Sequence, residues 1–249
     1  MKKTIVVGLM LSALGSYTAL AYCQADSCCV PAPANLAGWW PGDDNANDIA
    51  GGDNGSFNGS YVPGEVRDAF YIPGSGSIYV SVPQSSALEP AQVTVDAWVK
   101  ANGSPGNYKY IVDKGGPNNC ADPGSYALYT GANGGLEFYV SDGTNVVLSP
   151  DAGAGVWDNN WHLVAGTYDG TQASLYVDGV LVGSTPSSIS AIAYGLFDNN
   201  LYIGAFSPGC TQNLSFLGSI DEVEVYSRAL SQSEIQSIYA AGSGGKCKP

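Results

Sequence analysis

Four carboxylates and three carboxamides fall within one short glycine-containing stretch between Trp40 and Asn54: Asp43, Asp44, Asp48 and Asp53, with Asn45, Asn47 and Asn54. Hard oxygen donors at that density are what calcium selects. Turn formation uses Asp and Asn too, but it does not need four acids within eleven residues. Asp43, Asp48 and Asp53 are therefore candidate ligands of a structural calcium ion. A second pair, Glu222 and Glu224, stands two residues apart and so on one side of a strand, and retaining glycoside hydrolysis uses carboxylates about 5 Å apart. Two solvent-facing acids on an edge strand account for the same pair without chemistry, and that is the expected arrangement. Nucleophilic catalysis lacks its parts: His162 is the only histidine, and no Ser or Cys sits in a strained elbow. One histidine without a Cys-x-x-Cys spacing cannot complete a zinc set either.

The remaining chemistry is stacking. Sugar rings lie on aromatic faces while their hydroxyls meet carboxylates and amides, and the chain carries 16 Tyr and 5 Trp. Asp96, Trp98, Glu137 and Tyr139 alternate with apolar neighbours and are expected on the non-core side of one sheet. Trp157 is expected in an adjoining loop. These five are the candidate ligand-binding residues, against the alternative that covering loops bury them as ordinary strand formers.

Composition narrows the partners. The 249 residues hold 22 acidic and 9 basic side chains, a formal charge of −13, with 12 % charged and 45 % hydrophobic. That is too little charge for a disordered polyelectrolyte or a coiled coil. No Lys or Arg cluster exists to meet phosphates, so nucleic acid and anionic membrane surfaces are poor partners. Lys2 and Lys3, an apolar run from Ile5 to Leu14 and the string Ala19-Leu20-Ala21 match a secretory signal ending at residue 21. The run is too short to span a membrane. Residues 22–35 form a cysteine-containing leader and 36–249 one domain, placed outside the cell or in its envelope. The six cysteines, Cys23, Cys28, Cys29, Cys120, Cys210 and Cys247, are an even set in an oxidising compartment. They fit three disulfides, whose pairing spacing alone leaves open.

The elements that must hold these residues are strands. Asp142-Gly143, Asp169-Gly170 and Asp178-Gly179 each separate two apolar runs, as does Asn133-Gly134-Gly135, and such dipeptides supply the positive φ of hairpin turns. Turns about ten residues apart describe antiparallel β-structure rather than βαβ units. Val93, Val95, Ala97 and Val99 form an apolar row at period two, as do Leu136, Phe138 and Val140, and these rows should face the core. One helix is expected. Ser231 and Glu234 make a capping box, Ile235, Ile238 and Tyr239 follow at helical spacing, and Gly242 supplies the stop.

Five strings occur in an order that is distinctive: Leu36-Ala37-Gly38-Trp39-Trp40-Pro41-Gly42-Asp43, Val93 to Lys100, Trp161 to Gly170, Leu175 to Gly179, and Gly218 to Leu230 leading into the capped helix. Together they resemble the laminin-G-like jelly-roll domain of the concanavalin A-like lectin/glucanase superfamily, over roughly Leu36 to Gly242. The resemblance implies an all-β antiparallel sandwich with a short C-terminal helix, adjacent first and last strands, and often a calcium ion on the rim. It adds Asp221 to the candidate calcium ligands. It also implies that Cys29 meets Cys247, that Cys120 and Cys210 meet at one rim, and that Cys23 and Cys28 remain for each other. The glucanase members of the superfamily use a carboxylate-rich strand, and no Glu-x-Asp-x-x-Glu run occurs here. The expectation is a secreted, non-catalytic module for carbohydrate recognition or adhesion. A cell-surface structural or protein-interaction domain is the alternative, and a weak glycoside hydrolase a distant third.

Overall fold

The computed structural model describes residues 29–116, 122–195, 198–207, 210 and 212–249. In chain order its strands are β1 (Leu36–Trp40), β2 (Ser56–Phe57), β3 (Ser60–Pro63), β4 (Asp68–Pro73), β5 (Val80–Val82), β6 (Val93–Lys100), β7 (Tyr110–Gly116) and β8 (Tyr126–Thr130). They continue as β9 (Leu136–Ser141), β10 (Val146–Leu148), β11 (His162–Tyr168), β12 (Gln172–Val177), β13 (Val180–Pro186), β14 (Asp198–Ile203) and β15 (Leu217–Tyr226). The helix α1 (Gln232–Ala241) follows. The strands make two antiparallel sheets. One runs β13-β12-β11-β6-β15-β4-β3, with β1 also on β15, and the other runs β10-β9-β8-β7-β14-β5-β2.

The turn chemistry accounts for the hairpins. Gly134, Gly143, Gly170 and Gly179 all hold positive φ, as does Asp178 at 52°, and the strands on either side of each turn pair in antiparallel register. The period-two rows fall where expected: Val93, Val95, Ala97 and Val99 of β6 meet Leu136, Phe138 and Val140 of β9 in one buried cluster between the sheets. Ser231 and Glu234 cap α1 reciprocally, and Gly242 ends it. Ile235 and Ile238 then bury against Trp98, Leu163, Ala165 and Tyr226, so the helix covers the outer face of the first sheet.

First and last strands are neighbours, with Trp39 opposite Glu224 and Leu36 opposite Tyr226. That adjacency brings Cys29 and Cys247 into a disulfide, with Cα atoms 4.8 Å apart. Cys210 is also disulfide-bonded. Its expected partner Cys120 and the proposed pair Cys23 and Cys28 lie outside the described residues, as does the signal segment 1–21. Among the described residues, no helix is long and apolar enough to cross a membrane.

Candidate functional site

On the outer face of the second sheet, register builds an aromatic floor. Tyr110 of β7 stands opposite Tyr129 of β8, which stands opposite Glu137 of β9. The next row on that face is Asp113, Ala127 and Tyr139, because side chains directly across an antiparallel ladder share a side. Three tyrosines from three adjacent strands thus meet: Tyr110 and Tyr129 at 5.3 Å between ring centroids, Tyr129 and Tyr139 edge-to-face at 5.2 Å. Phe206 packs against Tyr110 at 4.8 Å.

Above this floor opens a cleft of about 370 Å³ lined by Tyr108, Tyr110, Asp122, Pro123, Tyr129, Tyr139, Val146, Gln212 and Leu214. The floor rings are buried, Tyr110 and Tyr129 at 8 % exposure and Tyr139 at 2 %, whereas Tyr108 is 47 % exposed at the margin and is the ring open to a ligand. Two of the hydroxyls are fixed: Tyr129 donates to Glu137 Oε2 at 3.0 Å, and the Tyr139 oxygen accepts the Gly124 amide at 3.0 Å. Burial pushes the Glu137 carboxyl above its usual range, although the Tyr129 hydroxyl pulls the other way. Asp113, wholly buried beside Tyr139 in the second row of this face, is pushed well above the carboxylate range by burial, against the pull of Lys114. The exposed Tyr108 ring over a packed aromatic floor, with a polar margin of Asp122 and Gln212, can hold a ring-shaped, hydroxyl-rich ligand.

The five sequence candidates do not share one face. Tyr139 lines the cleft and Glu137 braces its floor. Asp96 and Trp98 project from β6 to the outer side of the other sheet, where α1 and the C-terminal tail cover them at 0 % and 3 % exposure. Alternation along a strand separates core from non-core but cannot say which sheet a strand joins, and the outer faces of two packed sheets point apart. Trp157 is not a loop platform either: its indole donates to the Gly134 carbonyl at 2.8 Å and packs against Phe216 in the core. The residues missed were Tyr108, Tyr110, Asp122 and Gln212. The signal available for the two tyrosines was the string Tyr108-Lys109-Tyr110 at the start of a strand.

The acidic candidates are likewise dispersed. Asp48 accepts the backbone amides of Trp39, Ala50, Gly51 and Asp53 at 2.8–3.0 Å. Asp43 holds the Lys248 ammonium at 2.6 Å, with Arg67 at 3.4 Å. Asp53 contributes backbone: its amide goes to Asp48, and its carbonyl accepts the Trp40 indole at 3.0 Å. Asp221 accepts the Val66 amide at 2.9 Å and is pushed up to about 8, chiefly by burial. Among the described residues, no three His, Cys, Asp or Glu side chains gather as a ligand set, and the donors of this loop do not fit a shared calcium ion. The hydrolase pair fares similarly. Glu222 and Glu224 are not on an open edge but are 1 % and 0 % exposed beneath the C-terminal tail, with Glu222 receiving the Trp39 indole at 3.0 Å and Lys248 at 2.7 Å.

Two packed antiparallel sheets with adjacent first and last strands define a jelly-roll sandwich of the concanavalin A-like type. The chain belongs to the concanavalin A-like lectin/glucanases superfamily, whose Laminin_G_3 family profile matches residues 74–236. No curated protein matches it. Solved structures do. Domain 4 of AbnA, a GH43 extracellular arabinanase from Geobacillus stearothermophilus solved in complex with arabinotriose, is 16 % identical, with a TM-score of 0.64 over 81 % of this chain and 97 % of that one. The binding domain of Paraclostridial Mosquitocidal Protein 1 is 14 % identical, with a TM-score of 0.64 over 82 % of this chain and 52 % of that one. Botulinum neurotoxin type C, whose cell entry depends on two ganglioside molecules, is 11 % identical, with a TM-score of 0.61 over 83 % of this chain and 51 % of that one. This chain spans about half the length of the two toxin chains. At identities this low, the TM-scores show a common fold alone.

Proposed function

We propose that the protein is a secreted, non-catalytic module that binds glycan in the tyrosine cleft. The carrying observation is the convergence of Tyr110, Tyr129 and Tyr139 from three adjacent strands under an open cleft with a polar margin. The arabinotriose and ganglioside contexts of its structural neighbours support a sugar as ligand. The disulfide between Cys29 and Cys247 supports an oxidising, extracellular or envelope setting. The burial of Glu222 and Glu224 under the tail leaves the notional hydrolytic pair without access to a glycosidic bond.

A glycan array followed by calorimetry tests the reading. Saturable binding that weakens roughly tenfold in Tyr108→Ala, about 1.4 kcal/mol, with the melting temperature held, is the expected result. A blank array, or binding indifferent to Tyr108→Ala and Gln212→Ala, overturns it. A protein partner has one observation in its favour: edge strand β13 exposes Val180, Leu181 and Val182 in a row, which is a template for strand addition.

A further inference from the structure

The outer face of the first sheet holds a buried Lys–Glu contact that the glycan reading does not use. Lys246 Nζ lies 2.5 Å from Glu224 Oε1, with the two side chains 1 % and 0 % exposed. The other oxygen, Glu224 Oε2, accepts the Tyr226 hydroxyl at 2.5 Å. Asp96 stands directly across the β6–β15 ladder from Glu224. It is completely buried, and among the described residues neither of its carboxylate oxygens has a hydrogen-bond partner. The Trp39 ring closes another side, its centroid 5.2 Å from Lys246 Nζ. The tail is delivered to this spot by backbone pairing, since Val30 donates to the Gly245 carbonyl and accepts from Cys247, and by the disulfide beside it.

A lysine and a glutamate in such a place are poorly explained as a stability device, because desolvating two charges offsets most of their attraction. The same arrangement suits a condensation. We propose that Lys246 and Glu224 form an intramolecular isopeptide bond, Nζ to Cδ, with loss of one water.

The chemistry balances without a redox step: an ammonium and a carboxylate become an amide and water. The Lys246 amine attacks Cδ, the C–N bond forms, and the bond from Cδ to the departing oxygen breaks. The Tyr226 hydroxyl on Oε2 draws electron density from the carbonyl and stabilises the oxygen that becomes negative. The ammonium passes one proton across the 2.5 Å contact to Oε1, which leaves a neutral amine facing a neutral acid. On attack the nitrogen sheds a second proton to the same oxygen, and Oε1 departs as water. Asp96 across the ladder keeps the site poor in charge, since burial pushes its carboxyl well above the carboxylate range and the nearby Glu224 adds to this against the pull of Lys246. Holding amine and carboxylate in contact supplies the high effective concentration that an amide condensation otherwise lacks. A dry site also favours the neutral amide over the ion pair.

Intact-mass measurement of the purified full chain, reduced and alkylated, is the test. The expected result is a mass short by one water, with a branched tryptic peptide joining the segment containing Lys246 to that containing Glu224. The deficit should vanish in Lys246→Ala and in Glu224→Ala, and it should persist in Glu222→Gln, whose Oε2 stands farther from Lys246 Nζ at 3.9 Å. A wild-type chain that melts cooperatively, has the full mass and yields Lys246 in a linear peptide overturns the proposal, whatever the variants do.

Discussion

The ring of Trp98 stacks on that of Tyr239, with centroids 5.8 Å apart and planes 29° from parallel. Trp98 is thereby a docking point for α1 on the outer face of the first sheet, buried to 3 % exposure beside Leu163, Leu230 and Ile235. Truncating it removes a large ring from a packed layer, and Trp98→Ala should cost about 3–5 kcal/mol of stability. Urea denaturation reads that loss. Glycan binding per folded molecule should be unchanged, because the tyrosine cleft lies on the opposite sheet. A variant of native stability that has lost glycan binding would move the site to this face.

Asp48 is the organiser of the loop after β1. Its carboxylate gathers four backbone amides, so its negative charge is met by oriented dipoles. The neighbouring Asp43 is met by Lys248. Differential scanning with excess EDTA and with millimolar calcium should therefore give the same melting temperature. Asp48→Ala, which leaves amides including the buried one of Trp39 without an acceptor, should destabilise the chain by about 2–4 kcal/mol in either buffer. A rise in melting temperature with calcium that disappears in Asp48→Ala would restore an ion to the loop.

Local signals were the readable part of this chain. Asp-Gly turns and period-two rows depend on residues near one another in sequence, and they located the β6 and β9 core rows, four hairpins and the capped helix. What adjacency within a strand cannot encode is sheet membership. Asp96 and Glu137 look alike in their strands, yet β6 lies at the centre of one sheet and β9 near the edge of the other. The cleft depends on three strands lying side by side, so Tyr139 was visible and Tyr110 was not. Glu222 and Glu224 looked solvent-facing because the segment that covers them, Gly245 to Lys248, is more than twenty residues away in sequence and is brought to them by its pairing with Val30 and the Cys29–Cys247 closure. The acidic loop looked like a cation site because its amides and lysine, which meet the charge, carry no sequence signature.

His162 bridges two carboxylates, with Nδ1 2.8 Å from Asp178 Oδ2 and Nε2 3.1 Å from Asp158 Oδ1. Burial pulls its pKa down, but the hydrogen bonds to Asp178 and Asp158 outweigh burial and hold the ring above the usual 6.5. A folded chain that binds this proton more tightly than the unfolded one draws stability from it. That contribution is fully present below the unfolded value and disappears as pH rises through the folded one. As the only histidine, its ring gives an unambiguous NMR titration. The midpoint should lie above 6.5 in the native chain and fall in Asp178→Asn. A native midpoint below 6.5 contradicts the bridge.

Gly166, at the centre of β11, faces Phe138 of β9 across the sandwich, and a Cβ built on it would come within 2.1 Å of the Phe138 ring. Both neighbours of Gly166 in the ladder, Val95 and Leu175, are fully buried, so the strand has no room to shift. The phenyl ring fills the space that a side chain on β11 would otherwise take, and the missing Cβ sets how closely the sheets approach. Gly166→Ala should therefore destabilise by about 1–3 kcal/mol through overpacking. Phe138→Leu alone should also destabilise, by leaving a void. The double variant should be more stable than the sum of the two losses implies, with a coupling of about 0.5–3 kcal/mol, since the smaller leucine makes room for the methyl. Strict additivity in chemical denaturation would mean that the two residues do not meet. Because the sheets carry the cleft on one outer face and the tail on the other, a wider spacing should lower the melting temperature while leaving affinity per folded molecule intact.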